Sequence, residues 1–221
     1  MKTAIIIPYN TAEKITLECI EALERTTKDN DTYCIVINGY VKEPNPIEHP
    51  FIDKLITVKN ESYCKTINAG FREIPEDCKR VFFMGNDSIA LDEGWLTELE
   101  RIHDKHELAV TSPDYTKGGK DHIVGENDDV WYHTMLPSIH YYMTMEDFNK
   151  VGLMDERFTG ACYYSDDDYC QRVEKLFGTM KIGRCKNIIF EHKCSVEGVA
   201  LGITHHMSIN YKTYKEIQNE R

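Results

Sequence analysis

Three short stretches carry side chains in arrangements that can do chemistry. Gly85-Asn86-Asp87-Ser88 follows an apolar run and precedes a helical pattern that opens on Trp95-Leu96. A carboxylate at the carboxyl end of a parallel strand lies where ligands bind in open α/β sheets. Asp87 there would suit Mg²⁺ or Mn²⁺, ions that prefer oxygen ligands and bridge to phosphates. The same four residue types also make an ordinary tight turn. Asp166-Asp167-Asp168 opens a second helical pattern. Consecutive helical residues point in different directions, so the three acids cannot all serve one site. One of them facing a pocket could take a proton from a hydroxyl, while all three suit a helix's first turn on electrostatic grounds alone. His192 closes the apolar run Ile188-Ile189-Phe190 and reads either as a ligand or as an ordinary strand-end residue.

The elements that must position these groups follow from periodicity. The amino-terminal half alternates short β-branched runs with amphipathic helical patterns, which predicts stacked βαβ units and a mostly parallel mixed sheet flanked by helices. Strands are expected at 4–7, 33–37, 55–58, 80–84 and 108–111, the first apolar throughout because both sheet faces are covered. Asn10 reads as a helix N-cap, with Glu13 completing a capping box. Further helices are expected from about Tyr63, over 95–106, 145–151 and 166–177, and near 206–217. Order returns at 139–144 after an excursion from Pro113 to Pro137, rich in Gly, Asp and Asn, that reads as a functional loop. The last two strands are expected at 180–184 and 188–191. No repeat or linker interrupts the chain, so one domain over 1–221 is predicted, with a 1–112 half, a 113–204 half and a helical tail at 205–221.

Composition excludes several classes. Among 221 residues no apolar stretch is long enough to span a bilayer, and the early run Ala4–Ile7 stops at Pro8, too short for a signal-peptide core. A cytoplasmic, unprocessed chain is the expectation. The eight cysteines show no C-x-x-C spacing and several fall in apolar patterns, which predicts reduced, buried thiols. A net charge of −11 disfavours broad nucleic-acid binding unless Lys117, Lys120, Lys150 and Arg157 gather into a groove. It does not oppose a nucleotide diphosphate whose charge a metal ion carries.

Five stretches, in chain order, resemble the family 2 glycosyltransferases, which adopt the GT-A fold. Ile6-Ile7-Pro8-Tyr9-Asn10 is similar to the opening I-P-x-[YH]-N, and Lys65-Thr66-Ile67-Asn68-Ala69-Gly70 to the x-A-x-N-x-G helix start. Phe82 to Ser88, with Gly94-Trp95-Leu96, resembles L-x-N-N-D-[TS]…G-W-L, that group's variant of the metal-binding D-x-D motif. Val151 to Phe158 resembles V-G-x-F-D-E-x-F, and Ser165 to Arg172 resembles E-D-x-D-L-C-x-R. The resemblance implies a single GT-A-type nucleotide-binding domain that moves a sugar from a nucleotide diphosphate sugar to an acceptor hydroxyl, with inversion. It implies donor contacts from Pro8, Tyr9, Asn10, Asn38, Asn68 and Asn86, and Mn²⁺ or Mg²⁺ on Asp87 with His192 nearby. Asp166 aligns with the general base. Trp131, Tyr132 and Asp168 fall where the acceptor is expected.

The family's Asp at the end of the second strand, which hydrogen-bonds the base, is Asn38 here, and its Glu before the base Asp is Ser165. A UDP-sugar remains the favoured donor. The acceptor expected is soluble: a glycan, a protein side chain or a modified DNA base. Two other readings stand beside this one. A compact domain rich in Asn, Lys and Tyr suits a phage-type glucosyltransferase acting on hydroxymethylated DNA bases. The lost Asp suits a catalytically dead relative that only binds a sugar nucleotide or glycan.

Overall fold

The computed structural model describes residues 1–10, 12–116, 121–137, 139–160, 163–193 and 203–220. Its strands are β1 (Thr3–Tyr9), β2 (Thr32–Tyr40), β3 (Lys54–Lys59), β4 (Arg80–Met84), β5 (Ser88–Ala90), β6 (Val110–Tyr115), β7 (Ile123–Glu126), β8 (Val130–His133), β9 (His140–Thr144) and β10 (Ile182–His192). Its helices are α1 (Glu13–Thr26), α2 (Tyr63–Phe71), α3 (Trp95–Lys105), α4 (Met145–Val151), α5 (Ser165–Phe177) and α6 (Ile203–Glu220). One sheet takes in every strand, in the order β3-β2-β1-β4-β9-β6-β10-β8-β7, with β5 against β10. Pairing is parallel from β3 to β4. It turns antiparallel where β9 enters between β4 and β6, and beyond it, among the described residues, only the β6–β10 pair is parallel. The sheet is therefore mixed, with its parallel character concentrated in the amino-terminal half.

Alternation along the strands builds two cores. Ala4 and Ile6 point to one side with Ile35, Ile37, Val81 and Phe83, where Ile67 and Phe71 of α2, Phe148 of α4 and Val173 of α5 meet them. Ile5 and Ile7 point to the other with Val36, Phe82 and Met84, under Ile20 and Leu23 of α1 and Leu96 and Leu99 of α3. Burying each such side chain contributes about 1.5–3 kcal/mol. A one-residue slip would exchange the two sets, so register is strongly specified. Helix α2 approaches so closely that a Cβ at Gly70 would sit 2.6 Å from Ile37 Cδ1. That contact is the physical reason for the glycine ending the Asn68-Ala69-Gly70 motif.

Several expectations change. Helix α1 begins at Glu13 with Ala12 as N-cap and no side-chain cap, because Asn10 stays at the strand end with its side-chain oxygen buried. The excursion contains the hairpin β7–β8, whose turn is held by Asn127 Oδ1 accepting from the Asp129 and Val130 amides, both at 2.9 Å. The two expected last strands are one strand, β10, with a register shift against β6 between Arg184 and Ile189. Strand β5 was not expected. Cys19, Cys34, Cys64, Cys78, Cys170 and Cys185 are buried free thiols, and burial raises those whose acidity is perturbed, Cys170 to about 12. Cys162, Cys194, Lys117 and Lys120 lie outside the described residues. Among the described residues no helix is long and apolar enough to cross a membrane.

Candidate active site

Asp87 and His192 lie far apart in the chain and meet because β5 folds back antiparallel on β10, setting Ser88 opposite His192. The Lys193 amide donates to the Asp87 carbonyl at 2.8 Å, and the His192 amide donates to Thr116 Oγ1 at 3.0 Å. The Asp87 carboxylate then stands 3.3 Å from His192 Nε2, with the two side chains 14% and 19% exposed. Adjacent ligands of an octahedral ion at 2.0–2.1 Å lie about 3.0 Å apart, so this pair fits one divalent cation. Among the described residues no group of three or more His, Cys, Asp or Glu could hold a metal ion. Two protein ligands would suit an ion that takes its remaining ligands from phosphate oxygens and water, as Mg²⁺ commonly does with substrate phosphates.

Behind the pair lies His140, which sequence reasoning missed. Its ring stacks on Phe82 at 6.2 Å and meets Phe190 edge-on at 5.1 Å. Burial, reinforced by the His192 charge, pushes its pKa down to about 3, and neither ring nitrogen has a hydrogen-bond partner among the described residues. Tyr115, also missed, presents its ring edge-on to His192 at 5.8 Å. The available signal was a lone His and a lone Tyr, each at a strand end.

Five of the expected donor residues lie at or near the carboxyl ends of β1, β2 and β4, and the sixth, Asn68, lies in α2, but most of their polar groups are engaged within the protein. The Tyr9 phenol donates to the Asn45 carbonyl at 2.6 Å and accepts from the Ile47 amide at 3.0 Å. Asn38 closes on the same strap: its amide donates to the Asn45 carbonyl at 3.1 Å and accepts from the Asn45 amide at 3.2 Å. Asn68 is fully buried, donating to the Met154 carbonyl at 2.9 Å and accepting from its amide at 3.0 Å. Asn86 donates to Thr16 Oγ1 of α1 at 2.9 Å. Tyr9, Asn38, Asn68 and Asn86 thus build the walls, and Asn68 in particular has no surface to offer a ligand. Among the described residues Asn10 Oδ1 is buried without a hydrogen-bond partner.

Asp166 lies in the first turn of α5. That helix is moored to the same end of the sheet through Cys170, whose Sγ lies 3.2 Å from the Tyr141 phenol, and Tyr141 donates to the Leu136 carbonyl. Nearby, the Gly85 amide donates to the Ile139 carbonyl at 2.8 Å. Asp166 and Asp167 are partly exposed, and burial raises the Asp167 pKa. Asp168 is wholly buried and pairs with Arg172 Nε at 3.0 Å. It braces the helix and cannot touch an acceptor, which corrects the expectation for this residue.

Trp131 and Tyr132 are neighbours on a strand and so face opposite sides of the sheet. Tyr132 packs against the α1–α3 core with its phenol accepting from Asn127 Nδ2 at 2.7 Å. It is therefore removed from the face that Trp131 shares with Arg184. Trp131 is partly exposed, with the Arg184 guanidinium 5.2 Å and the Lys186 ammonium 5.4 Å from its ring centre. Arg184 is buried, with Asp114 3.5 Å away.

The mixed sheet with helices on both faces is that of the GT-A fold. Solved structures with this fold include S. aureus TarS, at 12% identity and TM-score 0.65 over 90% of this chain and 38% of that one. GalNAc-T7 with UDP, GalNAc and Mn²⁺ is similar at 9% identity and TM-score 0.70, over 87% of this chain and 44% of that one. The mannosyltransferase PcManGT of Pyrobaculum calidifontis, in complex with GDP-Man and Mn²⁺, matches at 10% identity and TM-score 0.67, over 89% and 58%. The chain thus spans roughly two fifths to three fifths of the length of these proteins. No family model and no curated protein matches it by sequence.

Proposed function

We propose that the chain is a metal-dependent glycosyltransferase that moves a sugar from a nucleotide diphosphate sugar, UDP-linked by preference, to an acceptor hydroxyl with inversion. The observation that carries this reading is the Asp87–His192 pair, 3.3 Å apart at the carboxyl ends of β4 and β10. The reading draws further support from structural neighbours holding UDP or GDP-Man with Mn²⁺. A divalent ion held by Asp87 and His192 would offset charge developing on the leaving diphosphate, a contribution of several kcal/mol. Asp166 takes the acceptor proton as the acceptor oxygen attacks the anomeric carbon. The bond from that carbon to the diphosphate oxygen breaks, and its electron pair leaves with the nucleoside diphosphate. Pro8 and Asn10 face the nucleoside, while Tyr9, Asn38, Asn68 and Asn86 shape its cradle. Trp131 offers a flat face to the acceptor, as aromatic rings do to sugars.

The test is a panel of UDP-glucose, UDP-galactose, UDP-N-acetylglucosamine and GDP-mannose with Mn²⁺. The acceptors are neutral oligosaccharides, a Ser/Thr peptide and DNA containing hydroxymethylcytosine. Release of nucleoside diphosphate with inverted product supports the reading, and transfer to DNA alone selects the DNA-base acceptor. Pyrophosphate release would make it a nucleotidyltransferase. Tight nucleotide binding without turnover would make it an inactive relative.

A further inference from the structure

The carboxy-terminal helix grips the segment that delivers Asp166. Asn210 of α6 is fully buried. Its amide donates to the carbonyls of Thr159 at 2.9 Å and Tyr163 at 3.0 Å, and its oxygen accepts from the Thr159 amide at 2.9 Å. One helical turn away, His206 fills the space beside Gly160, where a Cβ would lie 2.4 Å from the imidazole. On the far side of this segment the Gly160 carbonyl accepts from the Tyr63 amide at the start of α2, at 2.8 Å.

Tyr164 follows directly and is left-handed, with φ +66°. A non-glycine residue in that region is strained and persists only where its surroundings over-determine it. Here the surroundings are α6: the Tyr164 ring packs on Tyr211 and Tyr214, with centroids 5.5 and 5.7 Å away. Tyr164 is also the N-cap of α5, and its carbonyl accepts from the Asp168 amide at 3.0 Å. Its backbone therefore sets the direction in which the first turn, with Asp166, leaves the cap. A helix needed only to cover the core would do so through Ile217, which is buried two turns further on. It would not require a buried amide bonded to the backbone ahead of α5.

Resting on the assignment of Asp166 as proton acceptor, we propose that Asn210 is a positioning residue for that step. With Tyr211 and Tyr214 it holds Tyr163-Tyr164 in the conformation that aims Asp166, which makes α6 part of the catalytic unit.

Kinetics with the best donor–acceptor pair of the panel above, per folded molecule and below each variant's Tm, test this. Asn210→Ala should lower kcat by about tenfold to a hundredfold. Donor KM and acceptor-independent donor hydrolysis should stay within about twofold. Asn210→Asp, which keeps the acceptor for the Thr159 amide and loses the donor to Tyr163, should fall alike. Tyr164→Gly reaches a positive φ without strain and should turn over about tenfold faster than Tyr164→Ala, although both lack the ring. Should Asn210→Ala fail to fold, the Tyr164 pair decides. Equal rates for Gly and Ala at 164, or kcat and donor hydrolysis falling together, would overturn the proposal. If Asp166→Asn still transfers sugar, the base assignment itself fails. If Asp166→Asn is inactive and Asn210→Ala is fully active, only this inference falls.

Discussion

On the β1–β2 side of the site, Tyr9, Asn38, Asn68 and Asn86 direct their polar groups inward, to the Asn45–Ile47 strap, the Met154 backbone and Thr16. On the β10–α5 side, Asp87, His192 and Asp166 are partly exposed, and the first two face each other. One region is a prebuilt wall, and the other holds the groups proposed to react. The difference teaches that residue type alone does not assign a role: four polar residues expected to contact the donor spend their polar groups holding loops and backbone. Substitutions should therefore act on stability in the wall and on turnover in the reactive region.

The largest expected effect is in the reactive region. Asp166→Asn should lower transfer by about 10²–10⁴-fold, the usual worth of a positioned acid or base, with nucleotide affinity unchanged by calorimetry. A loss of affinity instead would move Asp166 to the donor side. In the wall, Asn68→Ala leaves a buried carbonyl and a buried amide of Met154 unsatisfied, at about 1–3 kcal/mol each. Thermal unfolding should show Tm lower by roughly 5–15 °C, with nucleotide affinity preserved in the folded protein. An unchanged Tm with nucleotide binding lost would return Asn68 to the ligands.

Trp131→Ala should raise the acceptor KM by about tenfold, a stacking contribution of 1–3 kcal/mol, while donor hydrolysis persists. Collapse of donor hydrolysis and Tm together would place Trp131 in the core. A smaller effect concerns pH. Burial pushes His103 and His133 down to about 4 from an ordinary value of 6.5. Between those values the unfolded chain binds protons that the folded one does not, so the contribution of these two groups falls as pH drops from about 6.5 to about 4 and is constant above. Denaturant midpoints across that range measure it, and His103→Gln should shallow the slope. Least of all, Asp167→Asn should leave turnover near that of the parent. If Asp167 is instead the essential acid, the first turn of α5 faces the cleft differently from this account.

The legibility of the sequence followed the same division. Strands β1, β2 and β4 were readable because both their faces are covered, which leaves uninterrupted apolar runs. The β7–β8 hairpin was not, because its four-residue strands flank Asn127-Asp128-Asp129, a turn whose composition matches any loop. The Asn10 cap failed because a capping box is a local pattern, and here tertiary burial retains the residue at the strand end. Asp87, Asp166 and His192 stood out by type and by family resemblance. The resemblance put His192 beside Asp87, but the contact that brings them together was not readable, since it depends on the three-residue strand β5 against β10. Asp168 and Tyr132 were misread where helical direction and strand alternation decide which neighbour faces in.

The central claim is that Asp87 and His192 together hold a divalent ion on a nucleotide diphosphate. Calorimetric titration of UDP and of GDP into the protein, with and without Mn²⁺, tests it most directly when repeated on Asp87→Asn. An amide is a poorer ligand than a carboxylate for a hard cation. The account predicts Mn²⁺-dependent nucleotide binding in the parent, and in Asp87→Asn an unchanged Tm with affinity reduced to the metal-free level. Equal Mn²⁺-dependent affinity in parent and variant would contradict it and leave Gly85-Asn86-Asp87-Ser88 a turn.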